Sequence, residues 1–150
     1  MNDAYFALVL VTGSRAWSDI PAMHDALLDT WHDATQDGHA GITVMEGGAT
    51  GADTIARWWA KQHQAHGVGS QTVTADWGGP CDETCPAGHR KDAHGHGYCP
   101  LAGHRRNQQM VDAGPAVVLA FRVGKSTGTA DCIRRAEKAE IPVRRFEVAA

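Results

Sequence analysis

Apolar residues alternate along this chain between unbroken runs and spaced stripes. Residues 5–11 (YFALVLV) form a continuous apolar run ending at Thr12-Gly13, as expected of a strand buried on both faces of a parallel sheet. Ile20, Met23, Leu27, Trp31 and Ala34 then recur at three- and four-residue steps. That spacing predicts a helix over 20–34, with Asp19 as N-cap, Pro21 in the first turn and Asp37-Gly38 closing it. Residues 42–45 read as a second strand, and Ala52, Ile55, Ala56, Trp59 and Ala60 as the stripe of a second helix ended by Gly67. A short third strand is expected over 70–74, a helix over 104–113, a fourth strand over 116–121 (AVVLAF), a helix over 129–139 and a last strand over 143–146. Alternation of this kind predicts an α/β, Rossmann-like three-layer sandwich, with a five-stranded parallel sheet and helices on both faces. Placing the two longest apolar runs centrally gives the strand order 3-2-1-4-5.

The chain of 150 residues is the size of a single domain, 1–150, with residues 78–101 as an insertion within it. No apolar run is long enough to span a bilayer, and the first run lacks a basic leader, so a cytoplasmic protein without a membrane partner is expected. The net charge of −3 argues against nucleic acid as a partner. Charge is uneven, however: residues 1–75 carry 3 basic and 8 acidic side chains, and residues 76–150 carry 11 and 9. The basic pairs Arg105/Arg106, Arg134/Arg135 and Arg144/Arg145 suit a small anionic ligand better than a polyanion, although any one pair can equally be solvated surface.

Ligands of open parallel sheets bind beyond the carboxyl ends of the strands, where strand order reverses. Three segments meet at that edge: Gly13, Ser14 and Arg15 after the first strand; Gly47, Gly48, Gly51 and Asp53 after the second; and Ser126, Thr127, Gly128 and Thr129 after the fourth. Two are glycine-rich turns opening into helices, where free N–H groups and the helix dipole favour an anion. Neither matches GxGxxG or a P-loop. A phosphate-bearing small molecule is the expected partner. Glu46, Asp53 and Asp131 are the carboxylates nearest this edge. Asp53 can orient water or hydrogen-bond its own turn, while Glu46 and Asp131 are the catalytic candidates if the protein is an enzyme. Arg106 and Met110 share a helix face, with Arg106 reaching the pocket and Met110 packing. Trp17 and Trp77 are candidates to stack a base, core packing being the commoner fate. Cys132 reads as an inert buried thiol. Trp58 falls off its helical stripe, so exposure and a homodimer interface are expected there.

The ordered set Val11-Thr12-Gly13-Ser14-Arg15 with Trp17, Gly47-Gly48-Ala49-Thr50-Gly51-Ala52-Asp53, Asp76-Trp77, Ala102-Gly103, Arg106-Asn107 with Met110, Ser126 with Gly128-Thr129, and Ile141-Pro142-Val143 resembles a YspA-like member of the SLOG superfamily. These are Rossmann-like domains related to the cytokinin-activating phosphoribohydrolases and to DprA. The resemblance covers nearly all of the chain except about 78–101 and implies a nucleotide or nucleotide-sugar site at the predicted edge, with Asn107 beside Arg106 belonging to it. Activity is less clearly implied. The phosphoribohydrolases use a PGGxGTxxE loop and an Arg-Lys pair; here residues 124–131 read GKSTGTAD, Asp131 stands near the family's acid, and Asn107 replaces the lysine. Glu140 also stands where a glycine usually precedes Ile-Pro. The expected function is therefore a nucleotide or nucleotide-derivative binding protein, a sensor or sequestering module. The alternatives are an N-glycosidic or phosphate-linked nucleotide hydrolase and a DprA-like nucleic-acid binder.

Residues 80–100 hold three cysteines and three histidines. Their spacing favours Cys81, Cys85, His89 and Cys99 as a closed tetrahedral Zn2+ set, structural rather than catalytic because four protein ligands leave no open position. His94 and His96 are alternatives to His89. A disulfide with a spare thiol, or a His-rich solvated loop, are the other readings. A similar Cys/His insertion in YspA-like relatives supports the zinc reading.

Overall fold

The same apolar runs and stripes order the chain as β1 (Phe6–Gly13), α1 (Ile20–Gln36), β2 (Gly41–Glu46), α2 (Ala52–Gln62), a 3-10 turn (Gln64–His66), β3 (Val68–Thr72), β4 (Lys91–Ala93), β5 (His96–Tyr98), α3 (Ala102–Asp112), β6 (Val117–Val123), α4 (Thr127–Lys138) and β7 (Val143–Val148). The computed structural model describes residues 5–93 and 96–149. Five strands form a parallel sheet in the order β3-β2-β1-β6-β7, while β4 and β5 pair as a separate antiparallel hairpin. The expected order took no account of this hairpin, so the strands anticipated as fourth and fifth are β6 and β7.

Period-two alternation divides the sheet's side chains between two cores. Val9 and Val11 of β1, with Ile42, Val44, Leu119 and Phe121, pack under α1 and α2. Leu10, Met45 and Val118 point the other way, against Met110 and Val111 of α3 and Cys132 and Ala136 of α4. This is the three-layer sandwich. Among the described residues no helix is long and apolar enough to cross a membrane.

The helix ends follow from their sequences. Asp19 caps α1, its carboxylate accepting from the Ala22 N–H at 3.0 Å, with proline in the first turn. Boundaries differ where the pattern is weak. β3 begins at Val68, its buried residue, rather than at 70. α3 and α4 each start two residues earlier than the expected 104 and 129. β7 runs on to Val148 because an edge strand tolerates the exposed VRRFEV pattern. Glu140 has φ 61, the left-handed region that favours glycine and costs other residues about 1–2 kcal/mol. A glycine before Ile-Pro thus has a backbone reason, and its absence here bears on stability rather than on the site.

Candidate functional site

The carboxyl ends of β1, β2 and β6 open into a cleft of about 550 Å³. Gly13 lets the segments converge: a Cβ there would lie 2.5 Å from Ala52 Cβ and 2.6 Å from the Phe121 carbonyl oxygen. Ser14 then ties β1 to β6. Its N–H donates to the Phe121 carbonyl at 2.8 Å, and its Oγ accepts from the Val123 N–H at 2.8 Å. Gly51, at φ 73, passes against Arg15, whose carbonyl oxygen would be 2.3 Å from an added Cβ.

The two glycine-rich turns differ. After β2, the Asp53 carboxylate accepts from the N–H groups of Gly47 (3.1 Å) and Ala49 (3.2 Å), and Glu46 accepts from Gly48 (3.3 Å). The Ala52 N–H goes to the Ser14 carbonyl. This turn spends most of its donors on itself. After β6, Ser126 makes no capping bond and instead pairs with the Thr129 hydroxyl at 2.8 Å. Among the described residues, the first-turn N–H groups of Thr127, Gly128 and Thr129 have no acceptor. They lie on the cleft wall together with Arg15, His104 and Arg106. A helix N-terminus with free amides beside guanidinium groups has the chemistry to hold an anion.

Arg106 spans the cleft from α3. Its Nη1 donates to the Gly47 carbonyl and its Nε to Asn107 Oδ1 at 3.1 Å, leaving Nη2 without a partner among the described residues. Its guanidinium occupies the space a Cβ on Gly47 would need. Asn107 is buried and donates to the Gly128 carbonyl (3.2 Å) and to Asp131 (3.0 Å), fixing α3 against the first turn of α4. Arg15 is exposed on the cleft and has no side-chain partner among the described residues.

The remaining carboxylates part company. Asp53 lines the cleft, and burial pushes its carboxyl from 3.8 to about 6, with nearby Glu46 adding to the rise against the Ala49 and Gly47 hydrogen bonds and Arg106. Glu46 does not line it: fully buried, it is held by Arg57 (3.0 Å) and the Thr72 hydroxyl (3.0 Å). Asp131 also lies off the wall, bound by Arg134 (2.6 Å) and Arg135 (2.8 Å). Burial raises its carboxyl, but hydrogen bonds from Arg135 and Asn107 outweigh this and hold it below the usual value.

Of the basic pairs, Arg106 alone borders the cleft. Arg105 turns to Cys85 and Asp82, Arg134 and Arg135 to Asp131, Arg145 to Glu137, and Arg144 lies over Phe146. Trp17 is corrected as a base-stacking candidate. It is buried edge-on against Phe121, its indole N–H donating to the Asp19 carbonyl, and it does not border the cleft. Trp77 does, and is 41% exposed. Met110 packs in the core and reaches the cleft floor. Gly48 and Gly51 shape the turn without lining the cleft, and Cys132 is buried with its thiol pushed up to about 11 by desolvation. Thr12 lines the cleft with the segment expected after the first strand, whereas His104 was missed, although, three residues before Asn107 on α3, it carried a spacing signal.

Below the cleft, Cys81, Cys85, His89 and Cys99 bring their ligand atoms within 4.8 Å of one another. Cys81 Sγ and Cys99 Sγ lie 3.2 and 3.4 Å from His89 Nε2, and Cys85 Sγ lies 3.6 Å from Cys99 Sγ. All four cysteines are free, so no disulfide forms. Tetrahedral coordination at about 2.3 Å to sulfur and about 2.0–2.1 Å to nitrogen separates ligand atoms by roughly 3.5–3.8 Å. The set fits one metal ion. Arg105 and Arg90 donate to the sulfurs of Cys85 (3.2 Å) and Cys81 (3.5 Å). His94 lies outside the described residues, as does the His96 side chain.

A protein of Mycobacterium phage D29, "Gene 61 protein", is 41% identical to the chain over 140 residues, covering 92% of this chain and 94% of that protein. The YspA, cpYpsA-related SLOG family matches residues 7–78, the span from β1 through the turns after β1 and β2 to just past Trp77, and not the turn after β6. The chain belongs to this SLOG family. In this SLOG protein the Cys/His cluster follows the matched span.

Proposed function

We propose that this SLOG protein binds a nucleotide or nucleotide derivative in the cleft, as a sensor or sequestering module. The observation that carries the proposal is the uncapped start of α4 facing Arg15 and Arg106, three free amides and two cations around one space. The phosphate lies against the α4 turn and Arg106 Nη2. Zinc at Cys81, Cys85, His89 and Cys99 orders the 78–101 insertion, since three thiolates and an imidazole suit that ion, and the reducing cytoplasm keeps them free. The test is calorimetric titration with nucleoside monophosphates, NAD and ADP-ribose. Arg106→Ala should weaken binding about 10- to 150-fold, the range for one charge-assisted hydrogen bond; unchanged affinity refutes the phosphate site.

Asp53 favours a second reading, hydrolysis of an N-glycosidic bond. A cleft carboxylate near about 6 can take up a proton at neutral pH. Asp131, tied to two arginines, is less suited to that role than the sequence suggests. Chromatographic detection of free base, lost in Asp53→Asn, distinguishes hydrolysis from binding alone. Trp58, 62% exposed on α2, supports a homodimer; sedimentation should give twice the 16.0 kDa chain mass, and Trp58→Ser should return the monomer.

A further inference from the structure

Cys99 belongs to the metal cluster and to the cleft at once. Its Sγ is a candidate metal ligand, its N–H donates to the Trp77 carbonyl at 2.9 Å, and its carbonyl accepts from the Ala102 N–H at 3.1 Å, where α3 begins. Through these bonds one residue sets both the turn that carries Trp77 and the helix that carries Arg106. Tyr98 of the hairpin meets the Trp77 ring edge-on at a centroid distance of 6.3 Å. Gly103 makes room on the other side: a Cβ there would stand 3.0 Å from the ring. The indole is thus placed by the metal-bearing insertion, yet remains 41% exposed on the cleft wall.

We propose that Trp77 is a specificity-determining residue that stacks on the aromatic base of the bound nucleotide, and that metal at the four-ligand cluster positions it, so that metal and nucleotide binding strengthen each other. This rests on the phosphate-site reading above and adds to it the half of the ligand that the phosphate site does not recognise. A large apolar ring left open beside an anion-binding wall suits a ligand with one charged and one flat aromatic end. Coupling between two sites is reciprocal: if metal raises nucleotide affinity, nucleotide raises metal affinity by the same factor.

The test compares AMP with ribose 5-phosphate, which shares the phosphate but lacks the base, on zinc-loaded protein by calorimetry. Trp77→Ala should lower AMP affinity about five-fold or more, the lower end for base–aromatic stacking, and leave ribose 5-phosphate unchanged. Trp77→Phe should restore most of the loss, whereas Arg106→Ala should weaken both ligands. Tyr98→Ala, which removes a ring outside the four-ligand set, should keep one zinc per chain and lower AMP affinity alone. Zinc transfer to a chromophoric chelator should slow when AMP is present, a readout independent of any turnover. Equal loss of both ligands in Trp77→Ala, or none, overturns the stacking role while Arg106→Ala still tests the phosphate site. Zinc release indifferent to AMP overturns the coupling. If wild type binds neither ligand, the phosphate-site reading fails and this inference fails with it.

Discussion

The two glycine-rich turns at the cleft look alike in sequence, yet the loop amides of one and the helix-start amides of the other meet the cleft differently. In the turn after β2, Gly47, Gly48 and Ala49 give their N–H groups to Asp53 and Glu46. In the turn after β6, the amides at the start of α4 have no acceptor among the described residues. Glycine lets a backbone come close to an anion, but an internal carboxylate claims the same donors first. The presence of an acid inside the turn decides whether it cradles a ligand or closes on itself. Asp53 lies one residue into α2 and bends back onto the turn; Asp131 lies in the second turn of α4 and is drawn away by Arg134 and Arg135.

The largest expected difference between the turns is steric. Gly51→Ala places a Cβ 2.3 Å from the Arg15 carbonyl at φ 73 and should cost about 3–5 kcal/mol in denaturant unfolding. Gly128→Ala meets nothing within 4 Å and should be neutral or stabilise the fold by up to about 1 kcal/mol. Comparable losses at both positions would erase the contrast.

Next comes pH. Folding raises the Asp53 carboxyl from 3.8 to about 6, so the folded chain holds a proton that the unfolded chain has released. This stabilisation is fully present below about pH 4 and is lost as pH rises through about 6. Relative to Asp53→Asn, wild type should lose about 3 kcal/mol between pH 4 and pH 7.5, by chemical denaturation at each pH. A constant difference would mean that Asp53 is not desolvated in its turn.

The smallest change converts one turn into the other. Ser126→Asp supplies the α4 amides with an internal acceptor and should stabilise the helix by about 0.5–1 kcal/mol in thermal melts. It should also weaken AMP binding. Stabilisation without loss of AMP would put the anion elsewhere.

The sheet was legible because β1, β2 and β6 are buried on both faces and their apolar runs are unbroken. The hairpin was not: KDA and HGY are polar three-residue strands, and nothing in them distinguishes a pair from a loop. The metal set was legible because ligand spacing is local. Pocket membership was harder to read, since it depends on partners distant in sequence. Glu46 is consumed by Arg57 and Thr72, and no periodicity announces that bond. The Asp131 pairing was available, for Arg134 and Arg135 stand three and four residues on along one helix. Trp17 and Trp77 were equivalent in sequence; Phe121 opposite one and Gly103 beside the other separate them.

The central position of β1 carries a kinetic consequence. Its neighbours are β2, close in sequence, and β6, which arrives only after most of the chain has been made. Ser14 and Val123, whose hydrogen bond closes the cleft floor, are 109 residues apart. Pairing of this kind closes a long loop before any contact compensates for it, and slows folding. The β1–β2 hydrogen-bond ladder can form first, with α1 and α2 laid across it, while the cleft has no floor until β6 docks. Refolding should therefore be gated at that docking step, and truncating Val118 should retard it more than an equally destabilising truncation of Val68 at the β3 edge.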